Sequence, residues 1–352
     1  MAINLVTKHA KQIATRFVQR SLIAGRLSEQ YSWAGAKTVV VYTPQTVPLG
    51  EYQRTGTNRY GTPTEMQDIV QEMTLTQDKG FALTIDKGNN KDQNGIKSAG
   101  RMLALQIDER CVPTLDAYVF SRLAQLAGFV VGNPTALTKS TVCDRISEGT
   151  VKLDDSEVPQ DNRTLFVSAS TYKMLRLSEE FIGVDKLAAK SLTKGQVGEY
   201  DGMPVIKVPK GRWPANVNFM IVYKNSATAP VKINETKLHQ DPPGISGNLL
   251  EGRMYYDCFV LGAKCDGVYV EINTGSGAGT VLAKPTIAAA TGEITVPSGA
   301  TCKYTTDGTD PRYSKTAQIG TSAGTGVGTV VKAYCYKDGS YPSEVAEATL
   351  TA

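Results

Sequence analysis

The chain has 352 residues, of which 41% are hydrophobic and 20% charged, and a net charge of +4; this is the composition of a soluble globular protein, and two domains are the natural division at that length. No run of about 18 apolar residues is present to span a membrane, and the start, from Met1 through Lys8, Lys11 and Arg16, lacks the apolar core and small-residue cleavage site of a secretory signal. Cys111, Cys143, Cys258, Cys265, Cys302 and Cys335 form no Cys-x-x-Cys pair and only His9 and His239 accompany them, which speaks against structural zinc and against a disulfide framework.

The charge is unevenly placed. Residues 1–37 carry Lys8, Lys11, Arg16, Arg20, Arg26 and Lys37 against Glu29 alone, so the remainder is near neutral. Such a basic arm suits nucleic acid or an acidic neighbouring surface, and equally a solvated helix face. It also imitates an organelle transit peptide, but the fold signal begins almost at once after it.

Within that arm Leu5, Ile13, Phe17, Leu22, Ile23 and Leu27 recur at roughly helical spacing. Thr38 to Tyr42 reads as a strand, and Pro44, Pro48, Gly50, Gly56, Gly61 and Pro63 forbid a continuous helix in the polar stretch that follows. Strand patterns return from Val70 to Thr76 and at Phe81, Leu83 and Ile85. The first ninety-odd residues hold too little patterned apolar surface for a core of their own; contacts with other copies of the chain are the expected source of their order.

From Ile96 to Gly128 the period is helical, with Leu103, Ile107, Cys111, Leu115, Val119, Leu123 and Ala127 in steps of four. Pro113 must bend or break this helix, because its ring removes a backbone hydrogen bond and crowds the preceding turn. Residues 135–231 read as mixed α/β: a strand at Leu165 to Val167, a Ser/Thr-led helix from Ser170 to Leu177, a hairpin turning at Asp201-Gly202 and an apolar strand from Phe219 to Tyr223. Met254 to Ile272 is rich in strand formers, and Thr274 to Gly279 has linker composition. Residues 280–352 contain 14 threonines, two leucines and no phenylalanine. Their short alternating strands, Thr301 to Thr305, Val327 to Tyr336 and Val345 to Leu350, predict a β-sandwich in which Cys302 and Cys335 can face each other.

Motifs that carry chemistry are missing. There is no phosphate-binding loop, no strand-anchored Gly-x-Gly-x-x-Gly, no His-Glu-x-x-His and no Gly-x-Ser-x-Gly. Asp86 to Asp92 has the flavour of a calcium loop but lacks its sixth-position glycine and its later glutamate. His239 lies beside a Pro-Pro breaker, and Asp154-Asp155 and Glu179-Glu180 sit on polar faces, where adjacency alone places no pair across a substrate. No enzyme activity, cofactor or metal is expected.

The order of elements then becomes informative: basic arm, long hairpin, proline-interrupted helix, mixed α/β region, returning strands. It resembles the HK97-like fold of tailed-phage major capsid proteins over about residues 1–273. Asp78 to Lys87 is similar to the returning strand of that family's extended loop, and Glu109 to Tyr118 is similar to its spine helix. Arg163 to Ser168 with Tyr172, and Gly195 to Val205, resemble its axial domain. The fold class expected is therefore α+β, with an N-terminal arm (1–37), an extended β-hairpin loop (38–95), peripheral and axial domains (96–273), a linker (274–279) and an immunoglobulin-like domain (280–352).

The resemblance implies hexamers and pentamers tiling an icosahedral head around double-stranded DNA, assembled in the bacterial cytoplasm with portal and separate scaffolding partners, since the chain starts at the arm. Lys303 to Pro311, Val331 to Tyr334, Gly339 and Ser343 to Val345 resemble the immunoglobulin-like C-terminal domain of chitobiases. In a phage that likeness implies an outward decoration, a purely structural module before one that also touches surface glycans. Polar loops without a core need partners, which makes Arg54, Arg59, Tyr60 and Lys79 the expected intersubunit contacts. An encapsulin-like compartment and a carbohydrate-active enzyme are the alternative readings; for the enzyme, strands and helices do not alternate eight times as a barrel requires.

Overall fold

The computed structural model describes residues 21–33, 36–44, 46, 49–63, 65–66, 68–92, 97–178, 196–275, 280–324 and 326–351. Most of the basic arm and most of the linker fall outside the described residues.

Two antiparallel strands, β1 (Thr38–Pro44) and β2 (Asp68–Thr74), form a hairpin in register from Thr38 opposite Thr74 to Pro44 opposite Asp68. Strand β3 (Gln77–Asp86), read in the sequence as the loop's returning strand, leaves this hairpin. It pairs along its whole length with β11 (Gly247–Tyr256), which in turn pairs with β10 (Val231–Gln240). The returning strand is β2 instead. Alternation gives β3 a half-buried face through Phe81 and Ile85, but the partner that this face selects lies about 170 residues away and leaves no local trace.

After a short helix α1 (Lys87–Asp92), the predicted long helix runs unbroken through α2 (Ala99–Gln106), a π-turn (Ile107–Cys111) and α3 (Val112–Leu126), about 42 Å at 1.5 Å per residue. Pro113 does not break it. The Val112 N–H reaches back five residues to the Ile107 carbonyl, so the ladder has already widened where the proline ring enters. The Thr114 hydroxyl donates to the Arg110 carbonyl at 2.7 Å. The helix absorbs its proline in a π-bulge.

Six strands form the central sheet in the order β4 (Phe129–Asn133), β13 (Val268–Asn273), β8 (Val217–Tyr223), β5 (Arg163–Ser168), β7 (Met203–Val208), β6 (Gln196–Tyr200). Both faces are covered, which is why β5, β8 and β13 read as continuous apolar runs. On one face Val119, Phe120 and Leu123 of α3 meet Phe166, Met220, Val222 and Val270. On the other, Val142, Ile146 and Leu153 of α4 (Val142–Asp155) and Leu175 of α5 (Ala169–Arg176) meet Leu165, Phe219, Ile221 and Tyr269. The Ser168 hydroxyl caps α5 by accepting from the Thr171 N–H at 3.0 Å. Asp201 and Gly202, both at positive φ, turn β6 into β7 as the sequence predicts. Two short strands, β9 (Ala227–Thr228) and β12 (Phe259–Val260), pair beneath the helix.

Gly128 ends the helix where no side chain fits: a Cβ there would lie 2.3 Å from the Cys265 carbonyl oxygen, which also accepts the Gly128 N–H. Gly128→Ala is expected to destabilise the fold by about 2 kcal/mol or more, because the clash is with backbone that cannot move aside. Urea unfolding of the variant against the parent checks this; equal midpoints would count against it.

The C-terminal residues form a four-stranded sheet in the order β17 (Gln318–Ile319), β16 (Thr301–Thr305), β18 (Val330–Tyr336), β19 (Ala346–Thr349), accompanied by the pair β14 (Thr286–Ile287) and β15 (Ile294–Thr295). Leu282, Ile294, Cys302, Tyr304, Ala333 and Cys335 form a small core of their own. Gly308 at positive φ and Asp307, which accepts from the Thr309 N–H at 3.0 Å, make the predicted turn.

Candidate assembly interface

The order of the first described residues comes in part from their own chain. Leu22, Ile23 and Leu27 are buried in the core beneath α3. Trp33, Met73 and Leu75 form a second core with Leu261, and Trp33 stacks on Phe259 at 5.6 Å and donates its indole N–H to the Met73 carbonyl at 3.2 Å. The Gln71 amide bonds both the Val260 carbonyl and the Gly262 N–H, at 2.9 and 2.8 Å. The expectation that the whole leading segment lacks a core is thereby corrected: aromatic and methionine side chains at non-periodic positions anchor the base of the hairpin.

The tip is different. Every described residue from Leu49 to Pro63 is exposed, with Leu49 at 103% and Tyr60 at 92%. Tyr52 and Tyr60 pack edge to face at 5.0 Å, the Gln53 N–H bonds the Arg59 carbonyl at 3.0 Å, and the Arg59 guanidinium donates to the Gly56 carbonyl at 3.2 Å. These contacts shape the tip without burying it. A loop that presents two tyrosines, a leucine and, at Met66, a 62% exposed methionine carries an apolar patch on a polar frame.

Arg54, Arg59 and Tyr60 thus share this tip. Lys79 does not: it lies in β3 opposite Met254 and lines a cavity of about 160 Å³ with Phe81, Arg110, Cys111 and Tyr256, between the π-turn and the three-stranded sheet.

Three buried carboxylates are signalled by no spacing; two of them fix the pose of the hairpin and helix, and the third braces the central sheet. Asp116 of α3 is fully buried and accepts from Arg212 at 2.7 Å, from the Ser21 hydroxyl at 2.8 Å and from the Leu22 N–H at 3.1 Å. It pins the incoming chain to the helix. Asp257 accepts from the Thr76 N–H and hydroxyl at 2.8 and 2.7 Å, from the Tyr118 hydroxyl at 2.7 Å and from the Cys258 N–H at 2.8 Å. It stands at the joint where β2 passes into β3. Burial, with the Asp257 carboxylate beside it, pushes the Tyr118 hydroxyl up to about 12, so it stays a donor at neutral pH. Glu271 in the central sheet accepts from Arg145 at 3.0 Å and Asn218 at 2.8 Å.

The C-terminal domain is docked against this frame. The Arg312 guanidinium donates to the Ala127 and Gly128 carbonyls at 2.7 and 3.0 Å and pairs with Asp310 at 2.6 Å; the Tyr313 hydroxyl donates to the Leu126 carbonyl. Leu126 is the last helical residue and Ala127 its extended C-cap, so this loop supplies donors to the carbonyls at and just beyond the end of the long helix. Lys315 adds an ion pair with Glu72 at 2.5 Å, and its N–H bonds the Val70 carbonyl at 3.3 Å, tying the domain to β2.

Among the described residues no group of three or more His, Cys, Asp or Glu gathers to hold a metal ion, and no helix is long and apolar enough to cross a membrane. His239 pairs with Glu251 at 3.2 Å on an exposed sheet face.

No protein-family model and no curated protein matches the sequence. Solved structures do match. A structure from Mycobacterium phage Che8 shares 15% identity at a TM-score of 0.62, over 78% of this chain and 100% of that one. The capsid structure of cyanophage P-SCSP1u shares 10% at 0.60, over 78% and 94%, and the mature capsid of bacteriophage PhiM1 shares 11% at 0.59, over 77% and 92%. The chain has the fold of phage capsid subunits.

Proposed function

We propose that this chain is the major capsid protein of a tailed phage, of HK97-like fold, which self-associates as hexamers and pentamers into an icosahedral head around double-stranded DNA. The observation that carries the reading is the exposed tip at Leu49–Pro63, held on a rigidly anchored hairpin in a chain with a capsid-subunit fold. A surface of this kind gains from many modest contacts with sister copies, as closed symmetric assemblies do, and needs no catalytic constellation. Arg54, Arg59 and Tyr60 are its intersubunit contacts, and Lys79 acts separately, at the cavity under the π-turn.

Under this reading residues 1–37 are the arm, residues 38–95 supply the extended hairpin and the first strand of the peripheral sheet, residues 96–273 form the rest of the peripheral domain and the axial domain, and 274–279 link them to the C-terminal domain. Portal and scaffolding proteins and the packaged DNA are the partners, and assembly takes place in the host cytoplasm. Residues 280–352 form an immunoglobulin-like decoration module, structural in the first place, with surface glycans as the alternative role. The fifth of the chain that the match to the Che8 structure leaves uncovered is about the size of this module.

Electron microscopy of the chain co-expressed with its neighbouring genes tests the proposal: closed shells containing nucleic acid are expected, and a dispersed monomer would overturn it. Tyr52→Ser with Tyr60→Ser is expected to keep the parent's circular dichroism but lower shell yield at least about 30-fold, the effect of losing about 2 kcal/mol at an interface anchor. Undiminished yield would remove the tip from the interface.

A further inference from the structure

Cys302 of β16 and Cys335 of β18 are register partners in neighbouring antiparallel strands. Their backbone groups point away from each other. The Cys302 carbonyl accepts from the Gly320 N–H at 3.2 Å, on the β17 side. The Cys335 N–H donates to the Ser343 hydroxyl at 2.8 Å and the Cys335 carbonyl accepts from the Ser343 N–H at 3.0 Å, on the opposite side. The two residues therefore form a non-hydrogen-bonded pair, the site of an antiparallel ladder where Cα atoms stand closest, about 4.5 Å apart. That separation lies within the range a disulfide bridges without backbone movement, roughly 4.4–6.8 Å. Both side chains enter the same small core, and both thiols are free.

We propose that Cys302 and Cys335 are a covalent modification site: a thiol pair that closes into a cross-strand disulfide on exposure to a small-molecule disulfide such as oxidised glutathione. The inference goes beyond the shell reading and stands without it. One protein thiolate attacks the glutathione disulfide, forming a mixed disulfide and releasing one glutathione thiolate. The second protein thiolate attacks the protein sulfur of that mixed disulfide and releases the other. The two protein thiols lose two protons and two electrons, and the oxidant becomes two glutathione molecules.

The bond would close a ring of chain that contains Arg312, Tyr313 and Lys315, the residues that dock this domain to the helix end and the hairpin. Cross-linking that ring limits the unfolded chain and so holds the docking loop more firmly. Access is through β17, an exposed two-residue edge strand that pairs with Lys303 and Tyr304, next to Cys302. Burial pushes the Cys302 thiol up to about 12 and raises that of Cys335, so the pair is inert while this edge is closed and reacts when it opens.

The test uses the full chain, purified reduced and incubated with oxidised glutathione a few degrees below its thermal midpoint, then alkylated and mapped by mass spectrometry. The expected result is a 302–335 cross-linked peptide, with Cys111, Cys143, Cys258 and Cys265 recovered alkylated, and a rise in thermal midpoint of about 5 °C or more that dithiothreitol reverses. Cys302→Ser and, separately, Cys335→Ser must each abolish the rise. Recovery of both cysteines as alkylated thiols or glutathione adducts would overturn the proposal, as would a reversible rise that survives in either serine variant.

Discussion

Asp116→Ala is expected to lower the stability of the chain by about 3–5 kcal/mol, because it removes the ion-pair partner of a buried cation. The Asp116 carboxylate is wholly inaccessible, and Arg212, whose side chain is only 7% exposed, has its ion-pair partner there at 2.7 Å. Removing the acceptor leaves the guanidinium charged in a low-dielectric site and also releases the Ser21 hydroxyl and Leu22 N–H, which hold the incoming chain against α3. Guanidinium unfolding measures the loss. Replacing both partners together, Asp116→Leu with Arg212→Met, is expected to recover part of it, since the buried cation is gone while the Ser21 hydroxyl and Leu22 N–H still lack their acceptor. A single-variant loss below about 1 kcal/mol would show that the pair does not carry the weight assigned to it.

Arg312→Ala is the second large effect expected, at about 3 kcal/mol, and it acts between domains. The side chain is 6% exposed and satisfies the Ala127 and Gly128 carbonyls while neutralising Asp310. Alanine leaves the Ala127 and Gly128 carbonyls without this donor and a largely buried carboxylate without its cation. The loss should be felt at a distance, as faster hydrogen exchange at the Lys315 amide that bonds the Val70 carbonyl of the hairpin. Exchange at that amide unchanged from the parent would mean that the domain holds its place by other contacts.

Much of the architecture is written locally. The turn at Asp201-Gly202, the cap at Ser168, the strand Thr301–Thr305 and the apolar runs of β5 and β8 follow from turn chemistry, capping and alternation within a few residues. What escaped is long-range. Phe81 and Ile85 mark a half-buried strand but cannot say that its neighbour is Gly247–Tyr256 instead of the hairpin, and Lys79 lies on that strand. Pro113 signals a break that the π-turn removes, because helical packing of Val119, Phe120 and Leu123 on the sheet outweighs one missing hydrogen bond. The exposure of Arg54, Arg59 and Tyr60 was legible because polar, glycine- and proline-punctuated sequence has no inward face to offer. Asp116, Asp257 and Arg312 were not: an aspartate on an exposed face and one in a buried pocket look alike until the chain brings a partner 96 residues away into reach of Asp116, or 181 residues away into reach of Asp257.

Hydrogen–deuterium exchange across residues 49–63, in the unassembled chain and in shells purified from the same preparation, tests the central claim most directly. The account predicts rapid exchange in the free chain and strong protection in the shell at Tyr52 to Tyr60, with the hairpin base at Thr38–Pro44 protected in both. Protection of the tip that is already complete in a monomer, or that does not change on assembly, would contradict it.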